Sequence, residues 1–234
     1  MNTLQYFLRR IFVSIIVFFG VSIVIFCLAR LIPGDPARIA LGPFATDEMV
    51  EQLRETLHLN ESIFIQYGIF IEKLFQGDLG ISTYTKRPVL VDIVSYFPAT
   101  FELVLMSGLL MILIGMPLGI LSGKFKNSII DNVARLISLL GVVTPSFLWA
   151  IILMLIFAFW FPILPVSERM NEALDPPTLV TGLLLVDSLI EGNFKVFSDA
   201  FLHLILPGLA IALPAIGNVA RLTRTNLSDV YEKQ

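Results

Sequence analysis

The sequence has little cysteine, little histidine and little charge. Cys27 is the only cysteine among the 234 residues, so no disulfide can form within the chain. The two histidines, His58 and His203, do not cluster, and the spacing typical of metal ligands is absent. Charged residues make up 15% of the chain, whereas soluble domains average about 25%. No metal or other cofactor is therefore predicted, and the composition disfavours a soluble domain.

Motifs for catalysis and for nucleic-acid binding are missing as well. The glycines before Lys124 are too close together for a Walker A loop, and Phe125 stands where Ser or Thr is required. H-E-x-x-H and G-x-S-x-G do not occur, and basic residues do not cluster with aromatic residues on a soluble face. We therefore expect neither an enzyme nor a nucleic-acid partner, and any energy for transport would come from partner subunits.

Long apolar runs are abundant. Hydrophobic residues make up 56% of the chain, and about 20 apolar residues in a helix suffice to cross the hydrocarbon core of a bilayer. Pro207 and Pro214 interrupt the last run, but such breakers are tolerated in a span because neighbouring groups re-satisfy the freed carbonyls. The pattern predicts an all-α, polytopic membrane helix bundle with four spans, at residues 11–30, 99–123, 136–161 and 200–222.

Polar segments separate these predicted spans. A head at residues 1–10, a loop at 124–135 and a tail at 223–234 are assigned to the cytoplasmic side. The segments 31–98 and 162–199 are assigned to the opposite side.

The longest polar segment, residues 31–98, contains helical patterns. Thr46 in front of D-E-M-V-E-Q-L-R-E-T-L is an N-cap signal and predicts a helix over Asp47–Leu57. Further helices are predicted over Ile63–Phe75 and, just before Pro98, over Val89–Phe97, and the segment is predicted to form a small extracytoplasmic helical cap. In the segment 162–199, the apolar run Thr178–Ile190 is too short to span, so an interfacial or re-entrant helix is expected there, ended by Gly192 and Asn193.

The distribution of lysine and arginine sets the predicted orientation. Acids outnumber bases in the segment 31–98, whereas the short polar segments on the other side are basic. The positive-inside rule therefore places the N-terminus in the cytoplasm, and four spans return the C-terminus there. We predict a multi-pass protein of the plasma (inner) membrane. The orienting bases are Arg9, Arg10, Lys124, Lys126, Arg135, Arg221, Arg224 and Lys233.

Polar side chains inside the predicted spans are candidates for a transport pathway. A charged group at membrane depth costs free energy and therefore calls for a function or a partner. The candidates are Glu102, Thr144, Ser146 and Asn218. Two alternatives stay open: hydrogen bonds between helices, worth about 0.6 kcal/mol each, and, for Glu102, a simple interfacial position.

Glycines, prolines and two arginines complete the candidate residues. Gly115, Gly119 and Gly123 recur every four positions, which places them on one face of a helix and favours close packing against a neighbour. Prolines inside the spans are expected to kink them, and two arginines are expected to hold the cytoplasmic end of the last span against lipid headgroups. These residues are Pro117, Pro145, Pro207, Pro214, Arg221 and Arg224.

Four segments, in this order, carry a family resemblance. The first is the head Y-F-L-R-R-I at Tyr6–Ile11 with the apolar run after it, and the second is R-L-I-P-G-D-P-A at Arg30–Ala37. The third is Q-Y-G-I-F-I-E-K-L-F-Q-G-D-L-G-I-S at Gln66–Ser82 with R-P-V at Arg87–Val89 and P-A-T-F-E-L at Pro98–Leu103. The fourth is H-L-I-L-P-G-L-A-I-A-L at His203–Leu213 with A-R-L-T-R at Ala220–Arg224, and P-S-F at Pro145–Phe147 also fits. Together they resemble the permease subunits of binding-protein-dependent ABC importers, in the dipeptide, oligopeptide and nickel branch. The similarity covers nearly the whole chain.

The resemblance implies a membrane subunit that forms the translocation pathway together with a second, homologous permease. Two cytoplasmic ATPase subunits would bind on one side, and an extracytoplasmic solute-binding protein would dock on the other. The cargo would be peptides, nickel chelates or related solutes, moved by an alternating-access cycle.

The resemblance also implies six spans and a cytoplasmic coupling loop that follows the A-R-L-T-R motif. This sequence has only Asn226 to Gln234 at that place, so the chain is expected to be truncated before the coupling loop. A second hypothesis therefore stands beside the importer permease, namely a truncated, non-transporting membrane scaffold or assembly subunit.

Overall fold

The structure is a computed structural model that describes residues 3–31, 34–82 and 84–231. Within these residues the regular elements are helices, and β-pairing is limited to an isolated antiparallel bridge between Ile81 and Pro88. The predicted all-α architecture is therefore confirmed. The chain forms two compact units, Met1–Ile93 and Val94–Gln234, which are described in turn.

The described part of the first unit contains four complete helices. These are α1 (Thr3–Leu31), α2 (Pro36–Leu41), α3 (Asp47–Thr56) and α4 (Ile63–Phe75). The bounds of α4 agree with the prediction, and those of α3 differ by one residue. α1 begins inside the predicted polar head. The break predicted after α1 includes Ile32 and Pro33, which lie outside the described residues.

Asp35 organises the corner between α2 and α3. As the N-cap of α2, its Oδ1 accepts from the N–H of Ala37 at 3.1 Å, and its Oδ2 accepts from Nε and Nη2 of Arg54 at 3.2 and 2.9 Å. Burial would raise the pKa of Asp35, but the hydrogen bonds from Arg54 and Ala37 outweigh it and hold this pKa below its usual value. Thr46 caps α3, as predicted, by accepting from the N–H of Met49 at 3.3 Å.

α4 packs along α1. The hydroxyl groups of Ser22 and Tyr67 lie 2.8 Å apart and share a hydrogen bond. The ring centroid of Phe26 lies 5.3 Å from that of Tyr67 and 5.6 Å from that of Phe70. Because Ser22 and Phe26 belong to the apolar stretch Thr3–Leu28 of α1, α4 lies beside a candidate membrane span.

α5 (Val89–Lys124) leads into the second unit as one continuous helix of 36 residues. The sequence predicts a short helix before Pro98 and a separate span from residue 99, but the structure joins the two. α5 also continues through Pro117. A proline removes one backbone hydrogen bond from a helix, and the residues on either side can still keep their helical conformation.

The predicted third span, residues 136–161, is divided in two. α6 (Ile129–Val143) is followed by α7 (Ser146–Met154), which a π-helical segment, Leu155–Trp160, extends. The two parts meet at 110°. Thr144 is extended, with φ −84° and ψ 124°, because the ring of Pro145 disfavours a helical conformation in the residue before it. The expected kink at Pro145 is therefore a sharp break, and the prediction of one kinked helix is wrong.

α8 (Leu184–Glu191) and α9 (Phe194–Tyr231) complete the second unit. Gly192 ends α8 in the left-handed conformation, with φ 74°. α9 continues through Pro207 and Pro214 and extends nine residues past the predicted end of the last span at residue 222. The last three residues of the predicted tail, 232–234, lie outside the described part of the chain.

Length and apolar content mark three helical stretches as able to cross a membrane. These stretches are Thr3–Leu28, Val89–Lys124 and Phe194–Ser228. α6 and α7, with the π-helical segment, add a fourth span if the bent pair is counted as one broken span. The four predicted spans thus correspond to three long helices and one bent pair.

Glycines bring α5 close to α9. A Cβ at Gly119 would stand 2.6 Å from the backbone oxygen of Ala220, and a Cβ at Gly115 would stand 3.2 Å from that of Ile216. At Gly123 the nearest atom belongs to Leu227, at 3.0 Å. The contacts advance in the same direction along both helices, so α5 and α9 run parallel.

Glycines also bring α6 close to α9. A Cβ at Gly217 would stand 2.5 Å from the backbone oxygen of Ser138, and a Cβ at Gly141 would stand 2.7 Å from that of Leu213. These contacts advance in opposite directions, so α6 and α9 are antiparallel. The end of α5, the start of α6 and the last turns of α9 therefore lie at one end of the bundle.

Candidate functional site

Asp131 is a fully buried carboxylate where α5, α6 and α9 meet. Arg224 of α9 binds both its oxygens, with Nε donating to Oδ1 at 2.7 Å and Nη2 donating to Oδ2 at 2.9 Å. Ser122 of α5 donates to Oδ1 at 2.6 Å, and Nη2 of Arg135 donates to Oδ2 at 3.0 Å. The N–H of Asn127 adds a further hydrogen bond at 2.9 Å. One carboxylate therefore joins three helices.

The local sequence explains how Asp131 reaches this position. Ser128 is the N-cap of α6, and its Oγ accepts from the N–H of Asp131 at 3.3 Å. Asn127 has φ 63°, a left-handed conformation that asparagine adopts more readily than most residues. Asp131 is not among the site residues predicted from the sequence. A signal for it exists in the sequence, because Asp131 is the only acidic residue between Glu102 and Glu168.

A cavity of about 390 Å³ opens beside Asp131, between α5, α6 and α9. Three arginine side chains line it, including the two that the sequence places at the end of the last span. Small and apolar residues form the rest of its wall. We call it the basal cavity. Its lining residues are Ser122, Ala134, Arg135, Ser138, Leu139, Val142, Gly217, Ala220, Arg221 and Arg224.

Glu102 holds the segment that follows the π-helical turn. Its Oε1 accepts from the N–H of Leu185 at 2.6 Å, and its Oε2 accepts from Nη2 of Arg169 at 2.9 Å. The Glu102 side chain is 7% exposed, so water has little access to the carboxylate of this ion pair. These contacts favour an anchoring role for Glu102 over a free carboxylate in a pathway. Arg169 as its partner is not foreseen from the sequence, because 66 residues separate the two.

Asp187 of α8 shapes the loop that Glu102 anchors. Its carboxylate accepts from the N–H groups of Val180, Thr181 and Gly182 at 3.3, 2.8 and 2.9 Å, and from the hydroxyl of Thr181 at 2.6 Å. Burial would raise the pKa of Asp187, but these hydrogen bonds prevail and hold its pKa below the usual value. The charge in the short apolar run is therefore part of a satisfied loop.

The remaining pathway candidates have other neighbours. Thr144 is half-buried at the break between α6 and α7, and Ser146 is exposed in the first turn of α7. Asn218 is exposed on α9, where it donates to the carbonyl oxygen of Pro214 at 3.2 Å and accepts from Arg221 at 3.0 Å. The contacts of these three residues do not join them to Glu102, and a pathway role stays a prediction for each.

Among the described residues, no group of three or more His, Cys, Asp or Glu side chains could hold an ion.

Comparison with known proteins identifies the family. Residues 3–104 match the model of the N-terminal domain of binding-protein-dependent transport system membrane components. Residues 115–234 match the model of the binding-protein-dependent transport system inner membrane component. The chain belongs to this family of transporter permeases.

Named relatives of this permease are transport system permeases. A probable D,D-dipeptide transport system permease of Escherichia coli is 42% identical over 217 residues, which cover 93% of this chain and 64% of that protein. A dipeptide transport system permease of Alkalihalophilus pseudofirmus is 38% identical, over 97% of this chain and 68% of its own length. A glutathione transport system permease of Pectobacterium atrosepticum is 30% identical, over 98% of this chain and 66% of its own length. The chain thus spans about two thirds of the length of these relatives.

The family assignment and the apolar helices agree on a multi-pass protein of the inner membrane. They also indicate how the two polar clusters are placed along a helix of membrane-spanning length. The cluster around Asp131 and the cluster around Glu102 lie towards opposite ends of α5, and α5 is long enough to cross the membrane.

Proposed function

We propose that this chain is a membrane-spanning subunit of an ABC importer and that it forms, with a second permease, the translocation pathway for short peptides. The observation that carries the proposal is the match of both halves of the chain to binding-protein-dependent permease families, on a fold of long apolar helices. The peptide cargo is proposed because several relatives are named dipeptide permeases.

The proposed partners are those that such an importer needs. A solute-binding protein would deliver the peptide, and two ATPase subunits would hydrolyse ATP, since the sequence of this permease has no Walker A motif. Binding energy and ATP turnover would shift the permease pair between inward-open and outward-open states.

The packing supports a rigid body within such a cycle. Backbone oxygens of α9 and α6 stand within 2.5–2.7 Å of the Cβ positions of glycines on the facing helices, and the Asp131 carboxylate joins three helices at one end. Packed helices with close backbone contact move together and do not deform continuously. We propose that α5, α6 and α9 tilt as one block between the two states.

Transport is tested by reconstitution. Vesicles would contain this chain, its partner permease and both ATPases, with ATP inside and the solute-binding protein and a radiolabelled dipeptide outside. Uptake that requires both ATP and the binding protein is expected. The matched control replaces the Walker A lysine of the ATPases, which removes hydrolysis and leaves assembly intact. Assembled complexes that show no ATP-dependent uptake would instead support the non-transporting scaffold.

The orientation is tested by cysteine labelling. Replacing Cys27 with serine removes the only cysteine, and single cysteines can then be placed at Asp175 and at Asn127. The positive-inside distribution predicts that an impermeant maleimide labels whole cells at position 175 only. Labelling at position 127 in intact cells would reverse the proposed orientation.

A further inference from the structure

The basal cavity has a strongly cationic end. Arg135, Arg221 and Arg224 all line it, and the Asp131 carboxylate pairs with two of them, Arg135 and Arg224. Three guanidinium groups and one carboxylate leave a net charge of +2 at this end. Asp131 is fully buried and already accepts five hydrogen bonds. The Asp131 carboxylate is therefore already bound by groups of the protein, whereas Arg135 and Arg221 are exposed.

The arginines keep donors for a ligand. Each guanidinium has five N–H groups. The hydrogen bonds seen within the described residues use Nη2 of Arg135, Nη2 of Arg221, and Nε and Nη2 of Arg224. Planar guanidinium groups suit phosphate because they can donate two parallel hydrogen bonds. An anionic phosphoryl group is thus the natural ligand of this end.

The opposite end of the basal cavity is apolar. Leu139 and Val142 follow Arg135 on α6, and seven residues of helix correspond to about 10 Å. Across the cavity, Gly217 lies seven residues before Arg224 on the antiparallel α9. The lining therefore changes from cationic to apolar in one direction, along helices that are apolar enough to enter the membrane.

The basal cavity also opens sideways. Leu139 exposes 60% of its surface and Val142 exposes 39%. Its volume of about 390 Å³ falls within the range for small-molecule sites, roughly 300–1,000 Å³. A ligand can therefore enter from the apolar surface of the bundle, with a charged head at the arginines and an apolar chain beside Leu139.

We propose that the basal cavity binds an anionic phospholipid. The phosphodiester lies among Arg135, Arg221 and Arg224, and an acyl chain lies along Leu139 and Val142. Basic pockets between membrane helices bind anionic lipid headgroups for the same physical reason. The lipid joins α6 to α9 at the end where Asp131 already joins them, and thus stabilises the block. This inference does not depend on the peptide cargo or on the partner subunits.

Binding is measured on the purified full chain in neutral detergent, by native mass spectrometry with defined lipids. Dioleoylphosphatidylglycerol is expected to bind in a one-to-one complex at least about tenfold more tightly than dioleoylphosphatidylcholine. Both lipids carry a phosphodiester, but the choline cation of the second is repelled by the net positive charge at the arginine end of the cavity. Equal affinity for the two lipids would overturn the proposal.

Matched variants locate the site. Arg221→Gln is expected to weaken phosphatidylglycerol binding about tenfold. Lys124→Gln removes the same charge from the exposed end of α5, outside the basal cavity, and is expected to leave binding within about twofold. Equal losses in the two variants would show a diffuse surface effect and contradict a defined site.

A substitution that fills the apolar end of the basal cavity distinguishes binding of a lipid from binding of a free anion. Val142→Phe keeps every charge but occupies the space for the acyl chain, so it is expected to weaken phosphatidylglycerol binding as well. Unchanged binding in this variant, or displacement of the lipid by millimolar inorganic phosphate or by a dipeptide, would overturn the lipid assignment. The unfolding temperature of each variant without lipid shows that the fold is retained.

Discussion

Arg224 and Asp131 lie 93 positions apart in the sequence and form a two-point ion pair, at 2.7 and 2.9 Å, between α9 and α6. The carboxylate is fully buried, and the arginine side chain is 21% exposed. Removing one partner of a buried pair leaves the other charge uncompensated, which costs about 3–5 kcal/mol. This pair is therefore the most sensitive polar contact at this end of the bundle.

We expect Asp131→Asn to destabilise the permease strongly, by about 3 kcal/mol, because Arg224 loses its countercharge in a largely buried place. The measurement is the thermal unfolding midpoint of the purified chain in detergent. Asp47→Asn is the control: Asp47 forms an ion pair with Arg38 but is 92% exposed, and the effect should stay below about 1 kcal/mol. Similar midpoints for the two variants would mean that the Asp131 cluster contributes little.

We expect Gly119→Leu to force α5 and α9 apart. Even a Cβ at this position would stand 2.6 Å from the backbone oxygen of Ala220, which cannot move without its helix. Overpacking of this kind costs about 1–3 kcal/mol or more. The readouts are the size-exclusion profile of the chain and pull-down of the partner permease.

Gly108→Leu is the matched control for Gly119→Leu. Gly108 lies on the same helix, and a Cβ there has no neighbour within 4 Å. Leucine also has the higher helix propensity, by about 0.8 kcal/mol. Gly108→Leu should therefore assemble normally. Normal assembly of both variants would rule out close packing at Gly119 as a requirement.

Glu102 should control the order of the segment between residues 169 and 190. In Glu102→Ala the N–H of Leu185 loses its acceptor and Arg169 loses its ion pair, whereas Glu102→Gln keeps an acceptor oxygen. Hydrogen exchange of this segment should accelerate most in the alanine variant and less in the glutamine variant, with α6 and α9 unchanged.

Glu168→Gln serves as the control for Glu102, since Glu168 is an exposed acid next to Arg169. Its exchange should match that of the wild-type chain. If the amides of this segment exchange hydrogen equally fast in all three variants, Glu102 does not anchor the segment. The pathway role predicted for Glu102 would then be favoured over the anchoring role.

Acid should release the loop that Asp187 holds. A carboxylate whose pKa is lowered in the folded state stabilises that state above its unfolded pKa, about 3.9, and loses this contribution as the pH falls through the folded value. We expect exchange protection of the amides of Val180, Thr181 and Gly182, corrected for intrinsic rates, to be constant from about pH 8 to 5 and to fall below about pH 4.

Asp187→Asn provides the comparison for this pH dependence. It should lower the protection of these amides already at neutral pH and remove the loss below about pH 4. The same loss of protection in Asp187→Asn at low pH would assign it to another group.

Local physics alone predicts many of the helices. The bounds of α4, the cap of α3 by Thr46 and the ending of the short apolar run at Gly192 follow from caps, apolar periodicity and turn residues, which act within a few positions. The long apolar helices follow from composition, because a bilayer needs about 20 apolar residues per span. The stripe of Gly115, Gly119 and Gly123 likewise marks one helix face before its partner is known.

The break at Pro145 is only partly determined by the local sequence. The proline predicts a disturbance, since it excludes the preceding residue from the helical region. It does not determine the angle of 110° at which α7 leaves α6. That angle accompanies the packing of Leu153 of α7 against Leu206 and Ala210 of α9, about 50 residues away.

The sequence by itself determined that this protein is a helical membrane permease, because apolar runs, caps and family motifs are properties of contiguous residues. Only the tertiary structure decided what the charged residues do. Glu102, predicted as a pathway candidate, pairs with Arg169, and Asp131, which is not among the predicted site residues, pairs with Arg224. The physical reason is that a charge withdrawn from water needs a partner in space, and the partner's position along the chain is set by how the helices pack.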